Sequence, residues 1–305
     1  MSSCSAYSIY ERPDGYHFAY KVLGRAKAAT PLVMVHGLSA VGLVDWMPLA
    51  GELAKTRPVL IFDNRGIGSS KIPQAHEAEP YDVNDMAADV ARLVKHIGWK
   101  EIDLLGFSMG GMIAQSVLVS PNLPFKIRHL VLAATSAKPA HSDLLQAIPQ
   151  PGPGPLTYED KLKLVTPFIH VGYDPAFIRD PKNKDILDRR IKESVEARRP
   201  SRTVQHQIGV IAGYDVRKKL PAVPSTLPVL ILHGTADRSV YYSESKYIQR
   251  GLPHAQLVSF DGIGHTWYDY YTLEYWTGLL NTFLDGGDAS SLYPPPASSS
   301  YQSKL

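Results

Sequence analysis

Short, unbroken apolar runs recur along this chain, and most end at a small residue or a carboxylate. "PLVMVHG" (31–37), "PVLIFDNRG" (58–66), "IDLLGFS" (102–108), "HLVLAATS" (129–136), "PVLILHGTAD" (228–237) and "AQLVSFDGIGH" (255–265) share this form. They are too short for buried helices and do not alternate as half-exposed strands do, so they read as strands buried on both faces. Helical patterns separate several of them, as at Asn84–Ile97 ("NDMAADVARLVKHI") and Met109–Val119. Buried strands alternating with helices predict an α/β fold whose mostly parallel sheet carries helices on both faces, joined by right-handed crossovers. The chain opens differently. In "YSIYERPDGYHFAYKVLG" (7–24) two β-rich runs flank Pro13-Asp14-Gly15, which predicts an antiparallel hairpin and brings the strands to eight.

The rhythm breaks between Ser136 and Leu227. A Pro/Gly hinge, "IPQPGPGPLTYED" (148–160), leads into helical patterns near Tyr158–His170, Lys184–Arg198 and Thr203–Tyr214, with no convincing strand. A structureless loop of this length is rare in a compact domain. The expected organisation is therefore a core in two parts, 1–136 and 228–284, with a helical cap inserted at 137–227. Residues 285–305, rich in Gly, Ser and Pro, are expected to form a disordered tail.

The strand ends carry the chemistry. Gly106-Phe107-Ser108-Met109-Gly110 is G-x-S-x-G between an expected strand and an expected helix, the context of a nucleophile elbow. A serine there must take a strained backbone conformation to lift its hydroxyl above the sheet, and bulky neighbours would clash. Serine is a weak nucleophile at neutral pH and needs a base, itself held by an acid. His265 follows the last run, in a loop expected to be mobile through Gly262 and Gly264. Asp237 ends another run, and the order Ser108, Asp237, His265 fits an acid and base that follow the elbow. Asp261 competes for the acid role but lies too near His265 to come from a separate strand end. His36, His233 and His254 are expected to be structural or at the surface. Two backbone N–H groups are expected to hold a developing oxyanion: Met109, just after the serine, and Leu38, after "PLVMVHG". His36 is expected to brace that loop.

With these motifs in view, the chain resembles the α/β-hydrolase superfamily from Tyr7 to Leu284. The pieces that carry the resemblance are "HGLSAVGLVDW", "FDNRGIGSS", "GFSMGG", "HGTADRSV" and "GIGHTW". "FDNRGIGSS" is similar to the loop of esterases, enol-lactonases and cofactor-free haloperoxidase-like members, where the matching Asp63 and Arg65 pair is mainly structural. Dehalogenases and epoxide hydrolases of the superfamily carry aspartate where Ser108 stands, so those activities are disfavoured. The resemblance implies hydrolysis of an ester, lactone or thioester through an acyl-enzyme. It leaves open a hydrolase-fold receptor for small molecules, or a C–C hydrolase or lyase using the same triad, because fold does not fix function. Phe168, Tyr173, Phe177 and Tyr214 could line an apolar acyl pocket or pack the cap's own core.

Composition excludes other classes. The 305 residues carry a net charge of +3, and the densest basic stretch, Arg189–Arg202, also holds Glu193 and Glu196, which reads as a solvated helix face and not a nucleic-acid stripe. No cofactor is implied, and no His/Cys/Asp spacing suggests a metal. The single cysteine, Cys4, allows no internal disulfide. The first residues lack the apolar stretch of a secretory signal, and no apolar run is long enough for a membrane span. If Leu305 carries a free carboxylate, Ser303-Lys304-Leu305 is a peroxisomal address read by an import receptor; otherwise a cytoplasmic location is expected. Fold and tail together are similar to small α/β-hydrolases of fungal secondary-metabolite clusters, some of them peroxisomal and involved in toxin formation.

Overall fold

The computed structural model describes residues 7–25, 29–147 and 156–292. Cys4, the proline-rich hinge at 148–155 and Ser303-Lys304-Leu305 lie outside them. Among the described residues, eight strands form one sheet in the order β1-β2-β4-β3-β5-β6-β7-β8. They are β1 (Ser8–Glu11), β2 (His17–Leu23), β3 (Leu32–Val35), β4 (Val59–Phe62), β5 (Glu101–Phe107), β6 (Lys126–Ala133), β7 (Val229–Gly234) and β8 (Gln256–Phe260). β1 and β2 form the expected hairpin, with Gly15 at φ 86° in its turn. β2 pairs antiparallel with β4, and the remaining pairs are parallel.

Successive side chains of a strand point to opposite faces. Val33 and Val35 of β3 therefore join one core layer with Leu60, Leu104, Leu132 and Ile231. Leu32 and Met34 join the other with Ile61, Leu105, Val131 and Leu230. This two-sided burial is why the runs are apolar without alternation. Helices α1 (Val83–Ile97) and α2 (Met109–Leu118) cover the first face. α1 begins in a capping box between Asp82 and Asp85 and ends at Gly98, whose φ of 86° suits a left-handed stop. Trp46 and the short helix Leu49–Leu53 cover the second face together with a C-terminal helix.

The connection from β6 to β7 holds α3 (Tyr158–Val171), α4 (Lys184–Glu196) and α5 (Ser201–Gly213), where the sequence patterns lie. α6 (Ser243–Gly251) and α7 (Leu273–Leu284) follow, α7 being the C-terminal helix on the second face. Two expectations change. Residues 285–292 are not a free tail: Asp285 accepts from Arg57 Nη2 at 2.6 Å, and the Ala289 side chain is buried against the second face. The Arg189–Arg202 stretch is not wholly solvated either. Lys192, Glu196 and Arg202 are exposed, but Arg190 is buried and Arg199 largely so. Helical periodicity marks a polar face without saying what stands opposite it.

α2 crosses β3 and β5 so closely that glycine is required at the contact. A Cβ on Gly110 would sit 2.0 Å from the Val35 carbonyl oxygen, and one on Gly106 would sit 2.4 Å from that of Gly110. Gly209, within α5, has open space around it. Gly110→Ala is therefore expected to lower stability by about 2–3 kcal/mol through overpacking against backbone. Gly209→Ala is expected to raise it by about 0.5–1 kcal/mol through helix propensity. Urea unfolding midpoints of the two variants should move in opposite directions.

Candidate active site

Ser108 stands between the last residue of β5 and the first of α2, at φ 57° and ψ −126°. An L-residue rarely adopts this conformation, and strain of this kind persists only where the surroundings over-determine it. Ser108 N–H donates to the Ala133 carbonyl at 3.0 Å, and its own carbonyl accepts from Thr135 Oγ1 at 2.6 Å. The side chain is left half-buried and facing a cavity of about 100 Å³. His265, Phe107, Gly37 and Leu38 line the same cavity.

His265 Nδ1 donates to Asp237 Oδ2 at 2.8 Å, which leaves Nε2 as the acceptor. Asp237 follows β7 and is buried. Its Oδ1 accepts from the Ser239 and Val240 N–H groups at 2.8 Å each. Burial alone would raise its pKa, but the neighbouring His265 and hydrogen bonds from His233 and His265 outweigh burial and hold it at about 2. His233 lies 3.2 Å from the Asp237 carboxylate and 2.9 Å from the Val240 carbonyl, so it supports the acid. Sequence reasoning missed that contact, although the i, i+4 spacing of His233, near the end of β7, and Asp237, just after it, offered the signal. Asp261, the competing acid, is exposed and accepts from Thr235 Oγ1.

The His265 loop is pinned and not free. Thr266 N–H donates to the Gly172 carbonyl at 3.0 Å, and a Cβ on Gly264 would lie 2.8 Å from that oxygen. Gly264 serves close approach to the helical segment, not mobility. The Phe107 ring packs on His265 with centroids 4.8 Å apart.

The loop after β3 lies against the serine: a Cβ on Gly37 would be 2.9 Å from Ser108 Cβ. His36 Nδ1 accepts from Gly37 N–H at 2.7 Å, so Nε2 carries the proton toward Tyr268 Oη at 3.3 Å. Burial pushes the His36 pKa down to about 4, and the neutral ring is the form that can accept from Gly37. Among the described residues, neither Leu38 N–H nor Met109 N–H meets an acceptor. As the first N–H of α2, that of Met109 has no intrahelical partner.

Asp63 and Arg65 are structural, but they do not pair with each other. Asp63 accepts from Leu43 N–H and Ser69 N–H, whereas Arg65 Nε donates to Asp89 at 2.6 Å. Of the four aromatics, Phe168 and Tyr173 line the cavity, Phe177 packs on Tyr173 within the helical segment, and Tyr214 is buried with the first core layer. Two arginines also reach the cavity. Arg190 makes a two-pronged bond to Asp269 at 2.9 and 2.8 Å, and Arg199 lies 3.3 Å from Asp45. The cavity's cations are thus matched by carboxylates. Among the described residues, no three His, Cys, Asp or Glu side chains converge as a metal site requires, and no helix is long and apolar enough to cross a membrane.

The sequence model of the alpha/beta hydrolase fold matches residues 30–270, and the chain belongs to that family. Membership supports hydrolysis as the class of activity. The chain is 26% identical over 294 residues to a proline iminopeptidase of Lactobacillus crispatus, covering 90% of this chain and 96% of that one. It is 25% identical over 242 residues to a 3-oxoadipate enol-lactonase of Acinetobacter baylyi, covering 78% and 82%. An esterase structure from a Rhodococcus species superposes with a TM-score of 0.75 at 22% identity, over 92% of this chain and 99% of that one.

The His36 geometry predicts a pH dependence of stability. A buried histidine with its pKa lowered from 6.5 to about 4 takes up its proton more readily when unfolded, so stability falls as pH drops from about 6.5 to about 4 and levels off below. The contribution is about 3 kcal/mol at 1.36 kcal/mol per pKa unit. His36→Asn keeps an acceptor at the δ position and should remove this part of the slope. Urea titrations at pH 7 and pH 4 should show the wild type losing more stability than the variant.

Proposed function

We propose that the protein is a serine hydrolase that cleaves a carboxylic ester, lactone or thioester through an acyl-enzyme. The observation that carries this reading is the strained Ser108, facing the same cavity as a His265 whose Nδ1–H is bound to Asp237. Ser108 Oγ attacks the carbonyl carbon while His265 Nε2 takes its proton. Asp237 holds the imidazole and stabilises the charge that forms on it. Leu38 and Met109 N–H groups receive the oxyanion, and His265 returns the proton to the leaving group. A water molecule, deprotonated by His265, then releases the acid.

The cap at 137–227 selects the substrate in this reading. A larger chamber of about 480 Å³ adjoins the cavity and shares Leu38, Phe168 and Arg199 with it. Leu164 and Val165 of α3, and Val204 and Ile208 of α5, line it and stay only half-buried. Such walls suit an apolar chain attached to the reacting carbonyl. The matched charges of Arg190 with Asp269 and Arg199 with Asp45 favour a substrate uncharged near the scissile bond. The names of the enol-lactonase relative and of the esterase neighbour agree with this class.

The wild type should hydrolyse p-nitrophenyl esters, with kcat/KM rising from acetate toward decanoate. Ser108→Ala should lose at least about a thousandfold in kcat while keeping the wild-type urea midpoint. Retained turnover in that variant would refute the assignment. Acyl-CoA thioesters and lactones assayed beside them identify the preferred class.

We also propose that Ser303-Lys304-Leu305, where Leu305 bears the free carboxylate, delivers the protein to peroxisomes, a setting suited to lipid or secondary-metabolite esters. An N-terminal fluorescent fusion in a eukaryotic cell should give peroxisomal puncta that disappear on removal of the three residues. Puncta that persist would contradict the proposal.

A further inference from the structure

The loop that carries the Leu38 N–H is held from two sides, and one side is the inserted helical segment. Ser39 follows Leu38 and has φ 61°, a left-handed conformation that serine does not favour. Its N–H donates to Gln207 Oε1 at 2.8 Å, and its carbonyl accepts from Arg199 Nε at 2.6 Å. Gln207 belongs to α5, and Arg199 lies just before that helix. Both backbone groups of one strained residue are thus fixed by side chains about 160 positions away. The sheet side supplies Asn64, whose Nδ2 donates to the His36 carbonyl at 3.2 Å, and the loop's own continuation supplies Asp45, which accepts from Val41 N–H at 2.7 Å.

Gln207 is fully buried, and its Nε2 meets no acceptor among the described residues. A buried amide with its NH2 unpaired is destabilising, so stability alone is a poor reason for glutamine here. An apolar side chain of similar length would fill the space without that penalty, but it would leave Ser39 N–H unpaired. What glutamine adds is an acceptor aimed at the residue after Leu38.

We propose that Gln207 and Arg199 are positioning residues that lock the Ser39 conformation and so aim the Leu38 N–H at the oxyanion. The inference rests on the serine-hydrolase reading above. It makes the cap part of the catalytic geometry as well as the wall of the substrate chamber. Neither side chain touches the reacting atoms in this scheme; both act through the backbone of Ser39. A misaimed donor weakens binding of the charged transition state and leaves binding of the neutral substrate nearly unchanged.

The test is a set of kinetic and binding measurements on the full chain. Gln207→Met removes the acceptor and keeps the length. Its kcat should fall about 10–100-fold on a p-nitrophenyl ester, with KM within about threefold of wild type. Affinity for a phenylboronic acid, which mimics the tetrahedral intermediate on Ser108, should fall by a similar factor. Gln207→Glu, which keeps an acceptor oxygen, should recover most of kcat. Arg199→Met acts on the other side of Ser39 and should lower kcat in the same sense, so a Gln207→Met variant that fails to fold does not end the test. Unchanged kcat in the Met variants, or losses that follow the urea midpoint and not the boronic-acid affinity, would overturn the proposal. A wild type that neither turns over esters nor binds the boronic acid would instead bring down the hydrolase reading, and this proposal with it.

Discussion

The close approach of α2 to β3 and β5 is the constraint on which the site depends. Gly106 and Gly110 admit backbone where any Cβ would collide, and the contact holds Ser108 at φ 57° between strand and helix. That conformation is costly, and the surrounding core supplies the stabilisation that permits it. The same contact sets Ser108, the N-cap of α2, on the cavity wall, and among the described residues the Met109 N–H that follows it meets no acceptor. The loop after β3 closes over the other side, near enough that Gly37 has no room for a side chain against Ser108. Backbone geometry accounts for these features; few of the side chains involved are themselves reactive.

The helical segment is tied to the loop after His265 by buried charge. Arg190 and Asp269 are both buried and make a two-pronged pair, with Tyr173 Oη donating to the same carboxylate at 2.6 Å. Removing one partner of such a pair strands the other in a dry site. The pair therefore fixes where α4 sits relative to the loop after His265, and with it the cavity between them. Arg199 and Gln207 extend this connection to the loop after β3. The segment that lines the larger chamber is thereby coupled to both loops that flank Ser108.

The strands, and the candidate residues that stand at their ends, were legible because their signals are local. A strand buried on both faces must be apolar throughout, and a serine at a tight strand–helix junction needs glycines beside it. The positions of Ser108, Asp237 and His265 follow from which residues stand at strand ends, and the structure brings His265 and Asp237 to 2.8 Å. What stayed hidden depends on distant partners. Nothing in "RIKESVEARRPSRTVQHQ" distinguishes Arg190, buried on Asp269, from Arg202, which faces solvent. Gln207 reads as an ordinary helical polar residue until Ser39, 168 positions earlier, is set beside it. Gly264 reads as a source of mobility until the Gly172 carbonyl is found against it.

In the proposed mechanism Ser108 is a nucleophile activated by His265 and Asp237. Covalent labelling with an aryl fluorophosphonate, followed by mass mapping of the modified peptide, tests it most directly. One adduct per chain is expected, on Ser108, absent from Ser108→Ala and formed far more slowly in Asp237→Asn. An adduct on another residue, or equal labelling of Ser108→Ala and the wild type, would contradict it.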